Sequence, residues 1–248
     1  MVHAAGFGMS LVSTALEGGV LTATLNRVDR GNALDAALVA DLRAAVALAD
    51  DPAVRLLVLR GAGKALCTGF DVGGIEAESD ASLLARFVAI ELLLQAVRHA
   101  PVPVVALGHG RMFGAGADLF AAATWRIADP GARFAFPGAR FGLVLGTRRL
   151  ASIVGEARAL ALTSRGQGLD AEAAAACGLA TSLVAQDGWD AEVASIAAEV
   201  ARVDRATALA LAGAARAETR DADLAALVRS AAVPGLRERI AAYAGGRG

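Results

Sequence analysis

The stretch that decides the fold is PVVALGHGRMFGAGADL, residues 103–119. Its first half is a continuous run of small apolar residues, which is typical of a strand buried on both faces of a parallel sheet. Its second half is rich in glycine and predicts a turn followed by a short helix starting near Ala115. At such a turn the N–H of Ala115 points outward, where the helix dipole favours an anion or a developing oxyanion.

A second stretch, VRLLVLRGAGKALCTGFD (54–71), has the same pattern, an apolar strand that ends in a glycine-rich turn. Gly69 permits a sharp turn that leaves the N–H of Phe70 free to meet the same oxygen. Neither turn is a phosphate loop, because GxxxxGK followed by Ser or Thr is missing. Taken alone, each turn is a weak signal, since ordinary strand-to-helix connections contain similar glycines.

Composition narrows the range of functions. Apolar residues make up 56% of the 248 residues and aromatic residues only 4%, so the core has to be built from many small side chains. The formal charge of −1 and the lack of a Lys/Arg block argue against a nucleic-acid partner. Neither a membrane span nor an export signal is recognisable, and Cys67 and Cys177 are not spaced as a metal site. We therefore expect a cytoplasmic protein with no membrane partner and no metal.

Strands and helices alternate on both sides of these stretches. VSTALEGGVLTATLN (12–26) predicts a hairpin turned at Gly18 and Gly19. Helical spacing of apolar residues predicts helices over 35–50 and 82–99, and WRIAD (125–129) reads as a strand.

After Pro137 nearly every segment reads as a helix, and only the region 179–184 reads as a strand. This order predicts an α/β core over residues 1–185. A C-terminal helical region over 186–248 is expected to pack on that core or on a neighbouring subunit.

Three motifs follow one another along the chain. LNRVDRGNALD (25–35) is similar to L-N-R-P-x-x-x-N-A-L, KALCTGFDV (64–72) to x-A-F-C-A-G-x-D-L, and HGRMFGAGADLFAAATWRIAD (109–129) to N-G-x-A-x-G-G-G-x-x-L-x-x-x-x-D. Together they resemble the crotonase superfamily, also called the enoyl-CoA hydratase/isomerase family, over roughly residues 11–190. The resemblance implies an α/β crotonase-like (ClpP/crotonase) fold, a spiral of ββα units with a C-terminal helical region, assembled as a homotrimer or a dimer of trimers.

The resemblance also implies an acyl-CoA substrate, with coenzyme A entering as part of that substrate and no separate cofactor. The family's oxyanion hole, which stabilises a thioester enolate, maps onto the backbone N–H groups of Phe70 and Ala115. Lys64, the only lysine of the chain, is a candidate for the CoA phosphates or a solvated surface residue. The full set of candidate CoA- or substrate-binding residues is Arg27, Arg30, Lys64, Ala65, Leu66, Thr68, Gly69, Asp71 and Gly114.

Hydratases of this family use two glutamates to activate water and protonate the α-carbon. The first position lies three residues after the oxyanion-hole residue, and Asp118 occupies it. The second follows the proline of FPGARFG (136–142) and holds Gly138, so that carboxylate is missing. Asp118 is either the surviving catalytic acid/base or a first-turn carboxylate that interacts with the helix dipole.

The segment that follows also departs from the family's pattern. Arg140, Arg148 and Arg149 bring charge near it, and we expect them at the surface or an interface. The alternative is that one of them reaches a carboxylated acyl group or pairs with Asp118. His109 stands where the family has Asn, which favours a structural hydrogen bond over proton transfer.

We therefore expect an acyl-CoA enzyme of the hydratase/isomerase type. With one carboxylate, double-bond migration, decarboxylation or slow hydration is more accessible than efficient two-glutamate hydration. Gly138 motivates the alternative, a non-catalytic acyl-CoA binding protein. A nucleotide-binding α/β protein is disfavoured, because no G-x-G-x-x-G or Walker pattern follows a strand.

Overall fold

The computed structural model describes residues 11–246. Within this range nine strands form two sheets, and ten α-helices pack around them. The strands are β1 (Val12–Glu17), β2 (Val20–Leu25), β3 (Leu56–Gly61), β4 (Val104–Gly108), β5 (Arg111–Phe113), β6 (Trp125–Ala128), β7 (Arg133–Ala135), β8 (Leu169–Asp170) and β9 (Ser182–Leu183). The helices are α1 (Ala36–Ala47), α2 (Asp80–Arg98), α3 (Ala115–Ala122), α4 (Thr147–Val154), α5 (Glu156–Ser164), α6 (Ala171–Ala176), α7 (Trp189–Val200), α8 (Arg205–Ala215), α9 (Arg220–Ala231) and α10 (Leu236–Gly245).

The larger sheet has the strand order β1-β2-β3-β4-β6-β9. β1 and β2 form the predicted hairpin, turned at Gly18 and Gly19, whose positive φ angles suit glycine. From β2 onward every neighbouring pair is parallel. The carboxyl ends of β3 and β4 therefore lie side by side, and each is followed by one of the two glycine-rich stretches. Such an edge is where α/β sheets commonly hold ligands.

Apolar side chains cover both faces of this sheet. In β4, Val104 and Ala106 belong to the main core, together with residues of α1, α2 and α3. Val105 and Leu107 face the other way and pack near Trp189 of α7 in a second cluster. Successive strand side chains point to opposite faces, so burial on both faces produces the unbroken apolar run. The predicted buried strand is confirmed.

The second half of the chain departs from the prediction in detail. The segment 147–164 divides into α4 and α5 at Gly155, and the segment 222–244 divides into α9 and α10 at Pro234 and Gly235. Proline cannot donate to the helix and glycine adopts positive φ readily, so both residues end helices. The prediction of a single strand after residue 137 is wrong, because β8 joins β5 and β7 in a small sheet. Strands of two or three residues are too short to show an alternating pattern.

The last two helices pack on the chain's own core. α9 and α10 contact α2, and α10 also contacts the 3-10 turn Pro137–Phe141. The proposed division at residue 185 stays a prediction. No helix within residues 11–246 combines the length and the apolar character needed to cross a membrane.

Candidate active site

The two glycine-rich turns touch, and glycine is required on both sides of the contact. A Cβ placed on Gly69, whose φ is +105°, would lie 2.2 Å from the carbonyl oxygen of Phe113. A Cβ placed on Gly116 would lie 2.1 Å from the carbonyl oxygen of Cys67. Both distances are far shorter than van der Waals contact, so only glycine lets the first turn of α3 approach the turn after β3.

Phe70 and Ala115 present main-chain N–H groups that could bind a ligand. The bridge between Leu34 and Phe70 uses the Gly69 carbonyl and the Asp71 N–H, so the Phe70 N–H is not part of it. Ala115 is the first residue of α3, where the N–H has no acceptor within the helix. Among the described residues neither N–H donates a hydrogen bond. Both residues line the same cavity.

This cavity has a volume of about 230 Å³ and lies over the N-terminal turn of α3. Asp118 supplies its only carboxyl group, and no Lys, Arg or His within residues 11–246 lines it. Most of the lining side chains are aromatic or aliphatic, namely Phe70, Val72, Phe87, Phe113, Phe136, Phe141, Leu143, Val144, Leu145, Leu160, Ile240 and Tyr243.

Asp118 is a buried carboxyl group in a helix whose eight residues are all buried. Gly146, which precedes α4, lies so close that a Cβ on it would be 2.1 Å from an Asp118 carboxyl oxygen. Burial raises the pKa of Asp118 to about 8; Arg149 opposes this rise and Glu91 adds to it. At neutral pH the carboxyl group therefore keeps its proton in most molecules, and it can both give and take a proton near that pH.

A buried ion pair is electrostatically coupled to Asp118. Arg149 of α4 donates to Glu91 of α2 at 2.6 Å, and both side chains are almost fully buried. Gln95 donates to the same carboxylate at 2.9 Å. The prediction that Arg149 lies at the surface or at an interface is therefore wrong, because its side chain is buried inside the chain. A charge removed from water needs a partner, and Glu91 supplies it. Desolvation raises the pKa of Glu91, and Arg149 and Gln95 oppose that rise.

Gly138 lines the cavity at the position of the missing second carboxylate. Its φ is not positive, and the nearest atom to a Cβ placed on it would be the carbonyl oxygen of Leu143, at 3.4 Å. Because that is ordinary van der Waals contact, the backbone at Gly138 leaves space for a side chain. The local backbone geometry therefore does not require glycine at position 138.

Arg27 makes several polar contacts within the protein. Its guanidinium pairs with Asp71 at 2.6 Å and with Asp35 at 3.1 Å, and it also donates to the Ala33 carbonyl. Arg27 ties the loop before α1 to the turn after β3, and its expected role near the CoA phosphates stays a prediction. Burial works to raise the pKa of Asp71, but the Gly73 N–H and Arg27 outweigh it and hold that pKa low.

The other predicted binding residues divide by exposure and position. Arg30 and Lys64 are exposed and lie outside the cavity lining, as surface cations on the two predicted CoA loops. Thr68 and Gly114 line the cavity. Ala65, Leu66, Gly69 and Asp71 are backbone or packing positions of the turn itself.

Asn32 organises the loops and was not among the predicted site residues. Its buried amide donates to the carbonyls of Ala62 and Ala65, and its oxygen accepts from the Arg27 N–H. Its φ of +56° is a conformation that asparagine tolerates better than most residues. In the sequence, the signal for Asn32 was the match of its N-A-L stretch to the family motif. Glu91 was also missed, and its signal was a lone carboxylate among apolar residues of a predicted helix.

The remaining polar residues near the site lie away from the cavity. Arg148 pairs with Asp223 at 2.9 Å and is mostly exposed, and Arg140 is exposed. The buried ring of His109 bonds the Gly63 carbonyl at 3.1 Å, which is the structural hydrogen bond predicted for it.

Solved structures with the same fold define the class. The chain superimposes with a TM-score of 0.92 on a crystal structure from Bordetella parapertussis assigned as an enoyl-CoA hydratase/isomerase, at 43% identity over 94% of this chain and 98% of that one. An enoyl-CoA hydratase/isomerase from Xanthobacter autotrophicus Py2 gives a TM-score of 0.85 at 28% identity, over 96% of this chain and 93% of that one. The fold is that of the crotonase superfamily, as predicted.

Sequence comparison assigns the family. A family model described as enoyl-CoA hydratase/isomerase matches residues 15–233. A protein of Mycobacterium bovis named "Probable enoyl-CoA hydratase echA6" is 36% identical over 72% of this chain and 74% of its own length. The 1,2-epoxyphenylacetyl-CoA isomerase of Escherichia coli is 30% identical over 71% of this chain and 70% of its own. The chain belongs to the enoyl-CoA hydratase/isomerase family.

Proposed function

We propose that this protein is an acyl-CoA isomerase that moves a carbon–carbon double bond by proton transfer next to a thioester. The observation that carries the proposal is the cavity shared by three groups: the N–H groups of Phe70 and Ala115 and the carboxyl of Asp118. Among residues 11–246 no other carboxylate lines this cavity. The relatives named as enoyl-CoA enzymes support an acyl-CoA substrate.

The two N–H groups stabilise the charge that develops on the thioester oxygen. When a proton leaves C2, negative charge spreads onto that oxygen, and donors fixed in place before the reaction lower the barrier. One such donor contributes on the order of 10²–10³ in rate. The position of Ala115 at the start of α3 adds the favourable end of the helix dipole.

Asp118 moves the proton. In its ionised form the carboxylate takes the C2 proton of a 3-enoyl thioester, and the electron pair of the C–H bond enters the dienolate. The same proton then returns to C4, which leaves the double bond between C2 and C3 and restores the carboxylate. The step consumes no water, oxidant or reductant, so coenzyme A is needed only as part of the substrate. One carboxyl group suffices for this reaction, whereas efficient hydration uses two.

The test is conversion of 3-hexenoyl-CoA to the conjugated 2-enoyl thioester, followed by the rise in its absorbance. Asp118→Asn is expected to lower kcat by at least 10², the lower range of general acid–base contributions. Because Asp118 has to be ionised to accept the proton and its pKa is raised to about 8, kcat/KM should climb with pH up to about 8 and then level off. A rate independent of both Asp118 and pH contradicts the proposal.

Gly138 supports a second candidate, a non-catalytic acyl-CoA binding protein, because glycine has no side chain to supply the second carboxylate. This candidate predicts tight binding of acyl-CoA thioesters without turnover of any 2-enoyl or 3-enoyl compound. Conversion of a single member of such a panel excludes it.

We also propose that the protein is a cytoplasmic homotrimer or dimer of trimers. The support for assembly is α8, which has no buried residue and exposes Leu209 and Leu211. Unpaired Cys67 and Cys177 support a reducing compartment.

A further inference from the structure

The cavity described above is the proposed acyl subsite, and the chemical character of its lining selects among thioesters. Six aromatic rings contribute to its wall, and Phe70 stacks on Phe87 with ring centroids 4.4 Å apart. Phe141 packs against Tyr243 at 5.1 Å. Rings arranged in this way offer a large apolar contact area with well-defined geometry.

Among residues 11–246 no cationic side chain lines this subsite. Arg149 is buried against Glu91, Arg148 is paired with Asp223, and Arg140 lies outside the lining. Within residues 11–246 the only carboxyl group in the wall is Asp118, which supplies no positive charge to balance a second carboxylate. A charged acyl group would lose its water without gaining a cationic partner, which is strongly unfavourable. The sequence-based alternative of a carboxylated acyl group therefore has no support in the described residues.

The volume of the subsite exceeds the needs of a short chain. An apolar cavity of about 150 Å³ lined by aliphatic and aromatic side chains holds benzene. The cavity here has about 230 Å³. It therefore has space for a ring and the short linker that connects it to the thioester.

The far wall comes from α10 of the same chain. Ile240 is almost fully buried and lines the cavity next to Tyr243. α10 is held in place at its start by Asp80, which accepts from the N–H groups of Gly235 and Arg237 at 2.8 Å. Arg239 holds the middle of the helix by donating to the Phe141 carbonyl at 3.0 Å. The wall is thus anchored by polar contacts outside the cavity.

From these observations, and resting on the acyl-CoA function proposed above, we infer that the acyl subsite takes an uncharged apolar group of about the size of an aromatic ring. Tyr243 is the specificity-determining residue of its far wall. Short acyl groups leave the subsite part empty, and carboxylated ones are rejected.

The experiment is a calorimetric titration of the full chain with four non-reacting ligands: free CoA, butanoyl-CoA, glutaryl-CoA and 3-phenylpropanoyl-CoA. We expect 3-phenylpropanoyl-CoA to bind at least tenfold more tightly than butanoyl-CoA, because the added carbons leave water for an apolar wall. Glutaryl-CoA should bind more weakly than butanoyl-CoA.

Matched variants assign the effect to the far wall. Tyr243→Ala should weaken the binding of the phenyl compound at least tenfold more than it weakens the binding of butanoyl-CoA, and Tyr243→Phe, which keeps the ring, should preserve the preference. Equal loss of both affinities in Tyr243→Ala overturns its role in specificity.

The outcomes separate this inference from the function on which it rests. If butanoyl-CoA or glutaryl-CoA binds as tightly as the phenyl compound while 3-hexenoyl-CoA is still isomerised, the inference fails and the proposed function stands. If none of the thioesters binds more tightly than free CoA, both fail.

Discussion

At the scale of single residues, Asp118 has the largest consequences. A carboxyl group buried in this way reduces the stability of the folded state whenever the pH of the solvent favours its ionised form. Gly146 packs directly against it and Arg149 offsets only part of its desolvation. The residue therefore connects the chemistry of the site to the stability of the whole chain.

Replacing Asp118 by Asn should stabilise the protein increasingly as pH rises. Between its ordinary pKa of 3.8 and the raised value of about 8, the unfolded chain releases this proton and the folded chain retains it. Each pH unit in that window then costs the wild type about 1.4 kcal/mol relative to the variant. Urea unfolding at pH 4.5, 6 and 7.5 should show the difference growing, and a difference independent of pH would contradict the raised pKa.

Gly138→Glu should add hydratase activity. The backbone there accommodates a Cβ with no contact shorter than 3.4 Å, so the new carboxylate can enter the cavity that Asp118 also lines. General acid–base groups contribute about 10²–10⁴ in rate, and we expect at least a tenfold gain in hydration of 2-hexenoyl-CoA. Gly138→Gln, which has the same size without the charge, is the control and should show no gain.

At the scale of secondary-structure elements, the buried pair of Glu91 and Arg149 joins α2 to α4. A single substitution, Arg149→Met, leaves a buried carboxylate without its cation and should reduce the free energy of unfolding by about 3–5 kcal/mol. The double variant with Glu91→Met removes both charges and should recover most of that loss. Chemical denaturation of both variants measures the difference; a double variant as unstable as the single one would show that packing, and not charge, dominates.

The secondary-structure elements also show how much of the fold and the site could be predicted from the sequence. The sequence predicted the buried strand β4 and the glycine-rich turn before α3, because both follow from local rules of burial and backbone conformation. Arg149 was placed wrongly, since its partner Glu91 lies on another helix and the pairing depends on how the two helices pack. Gly155 and Pro234 mark the helix breaks in the sequence. The helical spacing of apolar residues continues on both sides of each, so the breaks were not predicted.

At the scale of the whole molecule, α8 is the least covered helix of the described chain. None of its residues is buried, and Leu211 is 61% exposed. It borders an apolar groove of about 420 Å³. An apolar face of this kind is typical of a surface that is buried in an assembly.

If α8 contributes to the proposed trimer, Leu211→Asp should shift the protein toward monomers. Light scattering after size-exclusion chromatography gives the mass directly. Leu160→Asp, an exposed leucine of α5, is the matched control and should leave the mass unchanged. A wild-type protein that is monomeric at micromolar concentration would contradict the proposed assembly.

The position of α10 has a consequence for biosynthesis. Phe70 and Tyr243 face one cavity although the ribosome makes them far apart in time. A nascent chain that has emerged only as far as α9 already contains both glycine-rich turns and Asp118. It lacks the α10 side chains that line the cavity, so the cavity is open to solvent on that side. The selectivity inferred above for the acyl group would therefore be acquired only once α10 has docked.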